Sequence, residues 1–152
     1  MKVYLVQHAL AMSKGDDPER GLSGKGMADV SKVAEFLAGK AELAPARIVH
    51  SGRKRARQTA EVLAERLNIQ EVEEMLDLDP MADPGVWAAH LSAMEDDIML
   101  VGHMPHMSRL ASLLLLGKAN VEVVRFANGG LVCLGRDDAG WSLRWMVTPE
   151  LI

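Results

Sequence analysis

Cysteine is almost absent: the chain carries one, Cys133, in 152 residues. A lone thiol cannot close an internal disulfide, and within Leu131-Val132-Cys133-Leu134 it reads as a small buried hydrophobe. The fold must therefore hold by its core alone, and a reducing, cytoplasmic setting is expected. Aromatic residues amount to 4%, too few to interleave a basic surface for base stacking, which argues against a nucleic-acid module. Positive charge is also in deficit, 17 Lys and Arg against 21 Asp and Glu, so the net charge of −4 does not draw polyanions or anionic lipid. No apolar run approaches the roughly 20 residues that span a bilayer. The richest, Leu110 to Leu116, falls far short. The run before Ala9-Leu10-Ala11 is also shorter than the roughly 7 residues of a signal-peptide core. Neither export nor membrane association is expected.

What is present suits a globular protein. Apolar residues make up 49% of the chain, enough for one domain over residues 1–152 that buries roughly two-thirds of its unfolded surface. The opening run Lys2 to Gln7 reads as a buried strand that ends at His8. Ser23 is a fitting N-cap for a helix to about Gly39, with Met27, Val30, Val33, Ala34 and Leu37 spaced along one face. Arg47 to His50 is a brief strand, Lys54 to Leu67 a second helix, and Glu71 to Leu76 another strand. Asp77 to Pro84 is a loop, Val86 to Met94 a short helix, and Asp97 to Gly102 a strand ending at His103. Pro105 opens a Leu-rich helix that stops at Gly117. Strand, helix and strand in alternation predict an α/β fold with a mostly parallel central sheet flanked by helices. In the last third, Val121 to Phe126 and Leu131 to Leu134 flank Asn128-Gly129, a hairpin signal, and Trp141 to Val147 supplies one more strand.

Two histidines thus stand at the carboxyl ends of two strands, the edge at which open α/β sheets bind their ligands. A third strand end leads into Arg53, Lys54, Arg55 and Arg57, a basic cluster at a helix start, where backbone N–H groups and the helix dipole already favour anions. Guanidinium groups grip phosphate oxygens in bidentate fashion. Histidine is a competent nucleophile toward phosphorus, and neighbouring cations keep it neutral with a free lone pair. The pattern points to phosphoryl transfer through a phosphohistidine. A metal centre built on His8, His103 and His106 finds no carboxylate or cysteine at a completing spacing. His106 and His90 read as helix-surface or core residues, and His50 as rim.

The strand before His8, the Ser-x-x-x-Arg-Ala-x-Gln-Thr-Ala pattern of Ser51 to Ala60 and the Val101-Gly102-His103 turn resemble the histidine phosphatase, or phosphoglycerate-mutase-like, superfamily. Arg20-Gly21-Leu22-Ser23, Gly102-His103-Met104-Pro105, Trp145 and Pro149 look most like its small SixA-type phosphohistidine phosphatases. The resemblance implies a three-layer α/β/α fold, His8 as the phosphorylated nucleophile, Arg55 as phosphoryl ligand and His103 as the partner that stabilises transition-state charge. It implies no metal and no cofactor. The expected partner is a phosphohistidine-bearing protein of a phosphorelay or phosphocarrier system, or a small phosphoester.

One position departs from the pattern. Gln7 stands where the family has an arginine, so the expected phosphate contact at this position comes from a neutral amide. Losing a charged hydrogen bond costs on the order of 1.5–3 kcal/mol, roughly tenfold to a hundredfold in rate if it acts in the transition state. Arg53 and Lys54 are candidates to restore the charge. The alternative readings are a weakened phosphate-binding module and a small-molecule phosphomonoesterase. Displacing an alcohol calls for a general acid, for which Asp77, and after it Asp79, are the candidates.

Overall fold

A computed structural model describes residues 1–40 and 42–152. The chain runs β1 (Lys2–Gln7), α1 (Gly24–Ala38), β2 (Arg47–His50), α2 (Lys54–Leu67), β3 (Val72–Glu74), α3 (Pro84–Ala93), β4 (Ile98–Gly102), α4 (His106–Leu116), β5 (Leu131–Asp137) and β6 (Gly140–Val147). All six strands form one sheet in the order β3-β2-β4-β1-β5-β6. The β3–β2, β2–β4 and β4–β1 pairs are parallel, while β1–β5 and β5–β6 are antiparallel.

The two faces of the sheet are covered by different helix pairs, which is why β1 is apolar at every inner position. Tyr4 and Val6 pack with Val30, Val33 and Leu37 of α1 and with Ala60 and Leu63 of α2. Val3 and Leu5 pack with Trp87 and Leu91 of α3 and with Met107 and Leu110 of α4. The result is a three-layer α/β/α sandwich. Ser23 caps α1 by accepting the Gly26 N–H at 3.0 Å. Gly26 itself packs against the backbone of Leu10, so close that an added Cβ would overlap the Leu10 carbonyl.

The register places the reactive ends. Gln7 pairs with Gly102 and His50 with Val101, so β1, β4 and β2 all finish at about one level. The His8 N–H donates to the Gly102 carbonyl at 3.0 Å, locking the first two ends together.

The last third differs from expectation. Val121 to Phe126 forms no strand: of its valines only Val124 is buried, and Val121 and Val123 are exposed. Asn128-Gly129 therefore turns no hairpin. It feeds β5 and fastens the end of β1, with Asn128 Nδ2 donating to the His8 carbonyl at 3.0 Å and the Gly129 N–H to that of Gln7 at 3.0 Å. The hairpin lies between β5 and β6, which are longer than expected. The strand expected over Glu71 to Leu76 shrinks to β3, because its residues are exposed on the sheet edge and Leu76 enters a 3-10 turn.

Candidate active site

His8 leaves β1 with its ring oriented by two neighbours. Nδ1 lies 2.7 Å from the Ala9 carbonyl, an acceptor only, so Nδ1 carries the proton. Nε2 therefore holds the lone pair, and it accepts the Nε–H of Arg55 at 3.3 Å. Burial, reinforced by Arg55 and Arg20, pushes the imidazole down to about 4 from its ordinary 6.5, against the opposing pull of the Ala9 carbonyl. His8 is thus a neutral imidazole with its available electron pair facing a guanidinium.

His103 stands across from it, the ring centroids 5.0 Å apart. Its Nε2 lies 2.6 Å from Ser51 Oγ, and its Nδ1 is buried without a partner among the described residues. Burial and then the fields of His8, Arg55 and Arg53 lower it to about 3. Ser51 follows directly from the end of β2, and Gly52 after it takes a left-handed conformation (φ 88°), one that side chains resist, with its N–H donating to His50 Nδ1 at 3.0 Å. The structure thus brings His8, Arg55 and His103 around one space.

The Ser51 to Ala60 pattern has a mechanical meaning that the sequence did not disclose. Thr59 Oγ1 donates to the Arg55 carbonyl at 2.7 Å and accepts the Ala9 N–H at 3.0 Å, tying α2 to the residue after His8. Gln58 Oε1 accepts the Leu22 N–H at 2.7 Å, tying the same helix to the loop before α1.

The remaining candidates fall elsewhere. Gln7 makes no side-chain bond to His8, Arg55 or His103 among the described residues. It lines an adjoining groove of about 820 Å³ with Lys25, Asp29, Lys32, Arg125 and Asn128. Arg53 and Lys54, expected as replacement charges, are both engaged: Arg53 with Asp79 at 2.9 Å and Lys54 with Asp17 at 2.9 Å. Asp77, expected as the acid, is held by the Trp87 indole N–H at 2.8 Å and lies 3.8 Å from His90. The carboxylate whose field reaches His103 and Arg55 is that of Asp79. Arg20 was not among the expected residues, and its field acts on both His8 and Arg55. Its motif was visible, but nothing local says that a loop residue comes back to a strand end. Among the described residues no group of three His, Cys, Asp or Glu is placed to hold a metal, and no helix is long and apolar enough to cross a membrane.

Solved structures with this architecture include the protein histidine phosphatase SixA complexed with tungstate, at 23% identity over 99% of each chain with a TM-score of 0.87. They include a protein described as a phosphohistidine phosphatase SixA from Agrobacterium tumefaciens, at 26% identity over 97% of each chain with a TM-score of 0.79. Another, described as an alpha-ribazole-5'-P phosphatase from Escherichia coli, has 15% identity over 98% of this chain and 97% of its own, with a TM-score of 0.81. No curated protein sequence matches the chain. The profile described as Histidine phosphatase superfamily (branch 1) matches residues 3–87, the span that carries His8 and Arg55, and the chain belongs to that superfamily.

Proposed function

We propose that this protein hydrolyses phosphohistidine on a partner protein, with His8 as nucleophile. The observation that carries the reading is the fixed tautomer of His8: Nδ1–H on the Ala9 carbonyl and the Nε2 lone pair on Arg55. An incoming phosphoryl dianion takes the guanidinium from Nε2 and frees the lone pair to attack phosphorus. The Nε2–P bond forms as the bond from phosphorus to the substrate's ring nitrogen breaks, its electron pair passing to that nitrogen. A phosphohistidine protonated on its other nitrogen departs as neutral imidazole, so no proton need be delivered. Water then attacks phospho-His8, Nε2 recovers its electron pair, and dihydrogen phosphate leaves carrying both protons of the water. The bound dianion also favours the charged form of His103, which then stabilises charge developing on the phosphoryl oxygens. Its orphaned Nδ1 is the sort of buried polar atom whose unpaired state costs about 1–3 kcal/mol.

The leaving group follows from the carboxylates. An alkoxide needs a proton from a general acid, whereas Asp79 has both oxygens accepting from Arg53, at 2.9 and 3.4 Å, and Asp77 accepts from Trp87. Neither is placed as a free donor beside His8, and this supports a nitrogen leaving group. The small-phosphoester reading is favoured by the names of fold relatives such as the alpha-ribazole-5'-P phosphatase and the mycobacterial glucosyl-3-phosphoglycerate phosphatase. Incubation with a phosphohistidine-bearing carrier domain and, separately, with an alkyl phosphate discriminates. Release of orthophosphate from the first, with an acid-labile label trapped on His8 and lost in His8→Ala, is expected. Faster turnover of the alkyl ester would replace this reading with the second, and no label on His8 from either donor would leave a binding module.

A further inference from the structure

We propose that Arg20 is the second guanidinium of the phosphoryl site, standing in for the charge that Gln7 lacks, and that Asp17 is the residue that positions it. The proposal rests on the function proposed above and extends it to how the site is charged. Among the described residues the cations near the basic motif sort cleanly by partner. Arg53 pairs with Asp79, Lys54 with Asp17 and Arg57 with Glu61. Arg55 and Arg20 have no carboxylate within 4.0 Å among the described residues, so these two are the ones available to an anion.

Arg20 lies on a loop tied both to the segment that follows His8 and, through the Leu22 N–H on Gln58 Oε1 at 2.7 Å, to the helix that carries Arg55. The segment after His8 pairs with the segment before α1: Ala11 bridges Leu22, the Met12 N–H donates to the Gly21 carbonyl at 2.8 Å, and the Ser23 N–H to that of Leu10 at 2.9 Å. Arg20 spends only its Nε–H, on the Met12 carbonyl at 3.1 Å. Its terminal nitrogens have no partner among the described residues. It also sits in the left-handed region (φ 52°), which a non-glycine residue holds only where its surroundings impose it. Those surroundings are Asp17. One carboxylate oxygen accepts the Gly21 N–H and the Lys54 ammonium, both at 2.9 Å, and the other accepts the Glu19 N–H at 3.0 Å. The clasp joins the Arg20 loop to the first turn of α2, the turn that carries Arg55.

The test is titration of the full-length protein with inorganic phosphate, comparing the parent with Arg20→Asn, Asp17→Ala and the double variant. Asparagine tolerates the left-handed backbone, so Arg20→Asn removes the guanidinium without forcing the loop. Thermal melts check folding, and Arg20→Lys, which keeps charge but not the bidentate fork, is the second variant if Arg20→Asn does not fold. Expected is a rise in the phosphate Kd of about tenfold or more in Arg20→Asn, several-fold in Asp17→Ala, and about threefold in Arg20→Lys. Asp17→Ala adds nothing in the Arg20→Asn background, because both act through one group. In both single variants the titration midpoint of His8 moves upward, a response that a merely structural loop would not give. Unchanged phosphate affinity in a folded Arg20 variant overturns the proposal, and additive effects overturn the part assigned to Asp17. If the parent binds no phosphate, the proposed function falls and this inference with it.

Discussion

Acidification provides a direct test of the site. Burial and two guanidinium groups place the His8 midpoint at about 4 instead of 6.5. At about pH 5 some nine-tenths of His8 is then neutral, against about 3% for an ordinary histidine, a difference of roughly thirtyfold in the reactive form. The sign for stability follows from the same gap. The folded state takes up the proton less readily than the unfolded chain, so the neutral ring costs nothing above about pH 7. As the pH falls through 6.5, the unfolded chain binds the proton first and stability is lost progressively until about pH 4, where the full cost from His8 is reached. That cost is about 3 kcal/mol. The assay is a titration of the histidine ring carbons by NMR, with the His8 resonance identified by its disappearance in His8→Gln, alongside urea melts over the same pH range. A His8 midpoint above about 6, or melts that do not weaken between about pH 6.5 and 4, would refute the account of a half-buried, neutral imidazole at position 8.

Three further outcomes are expected. Gln7→Arg, which restores the family residue, changes phosphohistidine turnover by less than about threefold if the charge already comes from elsewhere; a gain of tenfold or more would show that it does not. Gly26→Ala lowers the melting temperature although helix propensity alone favours alanine by about 1 kcal/mol, because its Cβ runs into the Leu10 carbonyl two residues after His8; a higher melting temperature would disprove that contact. Asp77→Asn leaves the turnover of an alkyl phosphate within about twofold, since asparagine can still accept the Trp87 N–H, whereas loss of a general acid to an alkoxide leaving group would forfeit a hundredfold or more in the same steady-state assay.

What can be read along the chain follows what is local. The apolar runs that end at His8 and His103, the faces of α1 and α2, the Ser23 cap and the motif around Arg55 are all repeated or contiguous signals, because burial imposes its period on the sequence. Those signals sufficed for the layered α/β architecture and for the three residues that meet. They failed where a local preference was overruled by a distant partner. Asn128-Gly129 has the chemistry of a hairpin turn, yet its donors are claimed by the carbonyls of Gln7 and His8. Val121 to Phe126 has strand-forming residues but no neighbour to pair with, and its valines stay largely exposed.

The sequence by itself determined which chemical groups are available: two imidazoles at strand ends, a cluster of guanidinium groups and too few thiols or aromatics for other chemistries. Only the tertiary structure decided how each is used. Whether a cation is free or paired, whether a carboxylate faces Trp87 or Arg53, and which ring nitrogen of His8 keeps its lone pair all depend on partners remote in the chain. Charge and hydrogen bonding act through a few ångströms of space, and no spacing in the sequence measures that distance.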